Sequence, residues 1–278
     1  MTATVGAATA WVGTPEGSYV ERTTRVWPRP GEPGTYDAVV AERWASLRGV
    51  HGGHLVALAV RAVEADAPDR AVRTISATFL RPGAVGPVEL EVRAERRGRT
   101  VTTATVELRQ VGRTVALVRI TAVAPVQSAD WDNSRPVDLP PVTECVAFRP
   151  PPGVLHFEHA EAVLDPAEVP FSESTLARVG GWVRPREVQC IDAAWLAMIL
   201  DWFPPAPFAR RSLPIGGVSV DYSVHLHTTG LELARGDWLA ARFEAERGAD
   251  GLALEHGRIH TADGAVLAES FHTRWTGA

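Results

Sequence analysis

The same order of elements occurs twice along this chain, and a tandem repeat of that kind limits the possible folds more than any single motif does. Residues 51–65, HGGHLVALAVRAVEA, place Leu55, Leu58, Ala59, Ala62 and Val63 at helical spacing. Val56 and Val60 make the flank apolar as well, and a helix apolar almost all round must be buried. Four strand candidates follow, at 72–80, 88–96, 100–110 and 113–123, with turns marked by Gly86-Pro87, Arg97-Gly98 and Val111-Gly112. The second half runs in the same order. A helix is expected over 189–203, with Ile191, Ala194, Trp195, Met198, Ile199 and Trp202 in one stripe and Pro204-Pro205 as its stop. Strand candidates at 218–227, 238–247, 252–260 and 266–275 complete it, with turns at Arg235-Gly236, Ala249-Asp250-Gly251 and Ala262-Asp263-Gly264.

Each half therefore predicts one buried helix and a four-stranded antiparallel meander. A curved sheet closed around one helix covers only its concave face, so two fused copies pairing side by side form the expected body. The expected boundaries are 1–125 for the first unit and 153–278 for the second. Pro136, Pro140, Pro141, Pro150, Pro151 and Pro152 mark the linker over 126–152, because such proline density cannot enter a sheet interior.

Bulk properties narrow the function. The net charge of −5 disfavours a nucleic-acid partner, which calls for a basic face. All 28 basic residues are arginine, which removes lysine Schiff-base and lysine-nucleophile chemistry. Cys145 and Cys190 have no paired spacing that would suggest zinc or a disulfide framework. Residues 1–13 lack the basic start of a signal peptide, and no run of about 18 uncharged apolar residues exists. The expectation is a soluble cytoplasmic protein with no metal, no cofactor and no membrane partner.

Three stretches carry a resemblance to a known family. They are HGGHLVALAVRAV followed by SATFLRPGAVGPVELEVRAERRGRTVTTATVEL, the segment CIDAAWLAMIL, and the strands VSVDYSVHLH and VLAESFHTRW. The chain resembles the thioesterase II-like acyl-CoA thioesterases, a resemblance that covers nearly its whole length. It implies an α+β fold, a tandem double hotdog in which two curved antiparallel sheets each wrap around one central helix. It also implies hydrolysis of an acyl thioester carried by CoA or by an acyl-carrier protein, with homo-oligomers among the possible assemblies. The family's polar triad is an Asp on the second helix, a Ser or Thr on the next strand and a Gln on the last strand. Carried over by position, it becomes Asp192, Ser223 and His272, the last departing from the family's Gln.

Read on their own, these residues have plainer explanations as well. Asp192 at a helix start is favoured by the macrodipole, but its apolar neighbours suggest burial, which would raise its pKa toward that of a general base. In 219–227, strict alternation places Val220, Tyr222, Val224 and Leu226 on one face and Ser219, Asp221, Ser223, His225 and His227 on the other. His225 and His227 form a weak metal candidate, and Arg96, Arg97 and Arg99 read as a solvated turn with some chance of contacting a CoA phosphate. His51, Gly52, Gly53 and His54 open the first helix, where glycine permits close backbone approach and a free Gly53 N–H could hold an oxyanion. Two alternatives stay open: a dehydratase or isomerase pairing His51 or His54 with the second-half Asp, and a non-catalytic acyl-thioester binder.

Overall fold

The computed structural model describes residues 17–276, apart from 128, 130, 214–216 and 233–236. The expected turn at Arg235-Gly236 and the segment 1–13 fall outside the described residues. Eleven main strands are β1 (Thr35–Val40), β2 (Ala71–Phe79), β3 (Gly86–Arg97), β4 (Val101–Gln110), β5 (Arg113–Val123), β6 (Ala160–Leu164), β7 (Ala177–Pro185), β8 (Val218–Leu226), β9 (Leu239–Ala245), β10 (Leu252–His260) and β11 (Val266–Trp275). With shorter strands at its edges they form one fourteen-stranded sheet, in the order β1-β3-β4-β5-β2-β8-β11-β10-β9-β7-β6. Every pairing along it is antiparallel.

The halves meet where β2 runs alongside β8, with Tyr222 opposite Ala77 and Val224 opposite Ile75. This order corrects the expected meander. Only β3-β4-β5 is a consecutive ladder, whereas β2 lies on the far side of β5. The chain after β2 is pinned there, because the Leu80 and Arg81 amides both donate to Val115 O, at 2.9 and 3.2 Å. The second half mirrors this, with β8 on the far side of β11 and β9-β10-β11 consecutive.

Helix α1 (Gly52–Asp66) matches its expected span, and Leu55 through Val60, Ala62 and Val63 are all buried. Helix α2 (Ala193–Ile199) is shorter than expected. Cys190 and Ile191 instead pair with the short strand Leu231–Glu232, and Asp192 starts the helix as its N-cap, accepting from the Trp195 amide at 2.9 Å. At the other end the Asp201 and Trp202 amides donate to Met198 O and Ile199 O, which tightens the chain before Pro204.

The two helices run antiparallel, fixed at both ends. The Gly53 amide at the start of α1 donates to Asp201 Oδ2 just past the end of α2, at 2.8 Å. Eight residues along α1, Arg61 pairs with Asp192 at 2.6 Å at the start of α2. The Gly-Gly start makes this approach possible. A Cβ on Gly53 would lie 2.7 Å from Met198 O and 3.0 Å from Asp201 Cβ.

The proline-rich segment is strapped to the second half. Trp182 Nε1 donates to Pro140 O at 2.8 Å, Arg242 Nη2 donates to Asp138 O at 2.5 Å, and Val146–Ala147 pair with the edge of β6. No helix among the described residues is long and apolar enough to cross a membrane.

Candidate active site

Where the start of α1 meets the end of α2, a cavity of about 610 Å³ opens. Most of its wall is apolar, and its polar lining includes His51, His156, Asp201, Ser219 and Arg274. Asp201 is the hub of these groups. Its Oδ1 accepts from Arg274 Nη1 at 2.9 Å and from Ser219 Oγ at 3.2 Å, while its Oδ2 takes the Gly53 amide. Arg274 also donates to Ser219 Oγ at 2.7 Å and makes two bonds to Glu255 Oε1, at 3.0 and 2.7 Å. His51 Nε2 donates to the Asp201 carbonyl at 3.1 Å and stands 3.5 Å from Oδ2. That donation leaves His51 Nδ1 as the bare nitrogen, buried and with no partner.

These contacts set the charge states. Burial alone would raise the Asp201 carboxyl, but the His272 ring nitrogen 3.2 Å away and the Arg274 cation outweigh it and hold the group well below the usual carboxylate range. Asp201 is therefore ionised at neutral pH. For His51, burial outweighs the pull of Asp201 and lowers the pKa, so the imidazole is neutral. His272 is lowered too, first by burial and then by the Arg274 cation.

The expected site residues separate in space. Asp192 lies at the opposite end of α2 from Asp201, about 13 Å along the helix axis at 1.5 Å per residue. There it pairs with Arg61 and does not line the cavity. Ser223 is half-buried between the inward-facing Tyr222 and Val224, so its side chain takes the other sheet face. His272 is buried behind Asp201, stacked on Tyr222 at 4.1 Å, with Nε2 3.2 Å from Asp201 Oδ1. Neither ring nitrogen of His272 has the alignment of a hydrogen bond. The structure thus brings His272 to Asp201, not to Asp192 and Ser223. At the start of α1, His51 and Gly52 line the cavity, Gly53 holds Asp201, and His54 stacks on Trp44 at 4.2 Å away from it. His225 and His227 are exposed, and no cluster of metal-ligating residues occurs among the described residues.

Of the three residues that were missed, Arg274 and Asp201 carried a sequence signal and Ser219 did not. A β-bulge between Ser219 and Asp221 breaks the alternation of β8, which turns Ser219 inward and leaves Val220 40 % exposed. Arg274 is in phase with His272 and Ser270 on β11, all three buried on one face. Asp201 is the lone acid in AMILDWFPP, a carboxylate in an apolar run.

Comparison with known proteins agrees with this architecture. The acyl-CoA thioesterase N-terminal domain matches residues 40–124, and the acyl-CoA thioesterase C-terminal domain matches residues 127–275. An uncharacterized protein of Mycobacterium tuberculosis is 31% identical over 142 residues, 45% of this chain and 49% of that protein. The chain thus spans about half the length of the curated relatives it matches. Among solved structures, a conserved protein with a hot dog fold from Alicyclobacillus acidocaldarius superposes with a TM-score of 0.83 at 20% identity, covering 94% of this chain and 99% of that one. An acyl-CoA thioesterase II of Mycobacterium marinum gives 0.71 at 20% identity, covering 94% and 97%. With both of its halves matched in order, the chain belongs to the acyl-CoA thioesterase family.

Proposed function

We propose that this protein hydrolyses an acyl-CoA thioester, with the acid placed at Asp201 rather than Asp192 and the hydroxyl at Ser219 rather than Ser223. The observation that carries the reading is the buried Asp201 carboxyl lining an apolar cavity, with Ser219 and Arg274 beside it. Asp201 and Ser219 orient a water toward the thioester carbonyl, and the carboxylate takes up proton density as the water attacks. Arg274 and the start of α1 at Gly52 supply positive potential for the tetrahedral oxyanion. Because the Gly53 amide is committed to Asp201, its part is to position the carboxylate. Collapse of the intermediate breaks the C–S bond, and the proton taken up by Asp201 passes to the departing sulfur, so that CoA thiol and the carboxylic acid leave. His272 packs behind the carboxylate, with Nε2 3.2 Å from Asp201 Oδ1.

The same reading makes the body a tandem double hotdog. Units 1–125 and 153–278 each supply one central helix, α1 or α2, and one half of the sheet, joined by the 126–152 strap; the first unit also carries a short helix at Tyr19–Thr23. The mirrored strand orders and the two matched domains support it. The site then lies between the units, since His51 and Gly52 come from one and Asp201, Ser219 and Arg274 from the other.

One contact favours a second reading. His51 from the first half within 3.5 Å of Asp201 is the pairing a thioester dehydratase would use. Dehydration, however, needs a protonated acid to deliver to the leaving hydroxyl, and Arg274 keeps Asp201 ionised. Product analysis over a panel of acyl-CoAs tests the choice. Hydrolysis gives free thiol, dehydration gives a new double bond on an intact thioester, and a binding protein gives neither.

A further inference from the structure

Six of the chain's eight phenylalanines line this cavity: Phe79, Phe148, Phe157, Phe171, Phe203 and Phe208. Four of them stand as two ring pairs. Phe148 and Phe157 meet edge to face at 4.9 Å and 71°, and Phe171 and Phe208 lie at 5.4 Å and 31°. Phe79 stands against the start of α1, where a Cβ on Gly52 would be 2.9 Å from Phe79 Cζ and 3.1 Å from Asp201 Oδ2. The Phe79 ring edge and the Asp201 carboxylate therefore both face the start of α1 at Gly52.

Phe171 adds an independent sign that the ring itself is wanted there. Its φ is +60°, a left-handed conformation that is uncommon for a bulky residue and that glycine would adopt without strain. The strain is held in place by the Phe171 amide donating to Phe208 O at 2.8 Å and the Ser174 amide to Ala209 O at 2.9 Å. Strain of this kind persists where surrounding structure over-determines it, and it gathers at ligand sites.

From this we propose, resting on the hydrolase reading above, that the acyl group is aromatic, a phenyl or similar planar ring close to the thioester, rather than a straight alkyl chain. An alkyl chain gains area burial from any apolar wall, and leucine or valine would serve it as well. A ring gains edge-to-face and offset contacts with phenylalanine beyond the area term, and loses less rotational freedom on binding.

The test compares kcat/KM for phenylacetyl-CoA and octanoyl-CoA, whose acyl groups have the same number of carbons. Two ring contacts predict a preference for phenylacetyl of at least about tenfold. Phe171→Gly should cut that preference several-fold without lowering the melting temperature, because glycine relieves the backbone. Phe148→Leu should also reduce the preference. Equal or better hydrolysis of octanoyl-CoA, or a preference untouched by both substitutions, overturns the proposal. Binding of the thioethers S-(2-phenylethyl)-CoA and S-octyl-CoA to the wild-type protein reads the same choice without turnover. If neither ester is cleaved, the hydrolase reading fails by itself, and the thioether affinities still uphold the aromatic preference or overturn it.

Discussion

Acidification from pH 7.5 to pH 4 should destabilise this protein through its buried histidines, and His159 allows the size to be worked out. His159 stacks on Tyr19 at 4.7 Å, packs on Trp44 at 4.0 Å, and its Nε2 bonds Arg43 O at 2.9 Å. Burial, with the Arg43 cation and His51 adding to it, lowers its pKa to about 4, against the opposing pull of the Arg43 carbonyl and Glu158. In the unfolded chain the value returns to about 6.5. Between those two values the unfolded state holds more protons, so stability falls as the pH falls. At pH 7.5 the contribution is complete. By pH 5.5 it has dropped by about 1.4 kcal/mol, and by pH 4 by about 3 kcal/mol. His51, His54 and His156 are lowered as well, with burial the largest cause in each, and act in the same direction. Asp201 does not blur the range from pH 7.5 to 5.5, because its carboxyl is ionised there in the folded and the unfolded chain alike. Urea melts at pH 7.5, 6.5 and 5.5 read the slope, and His159→Gln should flatten it by about 1.4 kcal/mol over that range if the variant folds. A stability that is constant or rises on acidification over this range would refute the account of these rings as buried and neutral.

Two further substitutions probe the site's construction. Gly53→Ala should push α1 away from Met198 and Asp201, lowering stability by about 1–3 kcal/mol and activity by more than about tenfold, checked by melting and by thiol release. Ser219→Ala removes the hydroxyl between Asp201 and Arg274. It should cost about 1 kcal/mol of stability and roughly tenfold in kcat, with a smaller change in KM.

Much of the fold was legible because its signals are local. The all-round apolar pattern of α1 gave its span to within a residue, and the alternating runs located β2 through β5 and β8 through β11. What escaped depends on contacts between distant segments. β7 contains Gly180-Gly181, which reads as a break, but a Cβ on Gly181 would lie within van der Waals overlap of Val163 O on β6. The glycines are there to let two strands approach. Strand order likewise depends on how the chain after β2 is pinned to β5, which no periodicity records. The candidate site was half legible. His51, Gly52, Gly53 and His272 were singled out and lie at or against the cluster, whereas Asp201, Ser219 and Arg274 were passed over. Asp192 drew attention as the helix-start acid, a capping role it does fill. Ser219 was hidden by a one-residue bulge, which reverses the facing of Ser219 and Val220 and leaves the alternation from Asp221 onward as read.

The central claim is that thioester cleavage takes place at Asp201. It is tested most directly by comparing CoA thiol release by Asp201→Asn and Asp192→Asn proteins under identical conditions. Asparagine at 201 keeps the shape and removes the carboxylate from the water, so kcat/KM should fall by a factor of about 10² or more. Asparagine at 192 can still cap α2 and loses only the partly exposed pairing with Arg61, so its kcat/KM should stay within about threefold of wild type. Wild-type turnover by Asp201→Asn, or collapse of Asp192→Asn while Asp201→Asn stays active, would contradict the account and move the chemistry to the far end of the helix.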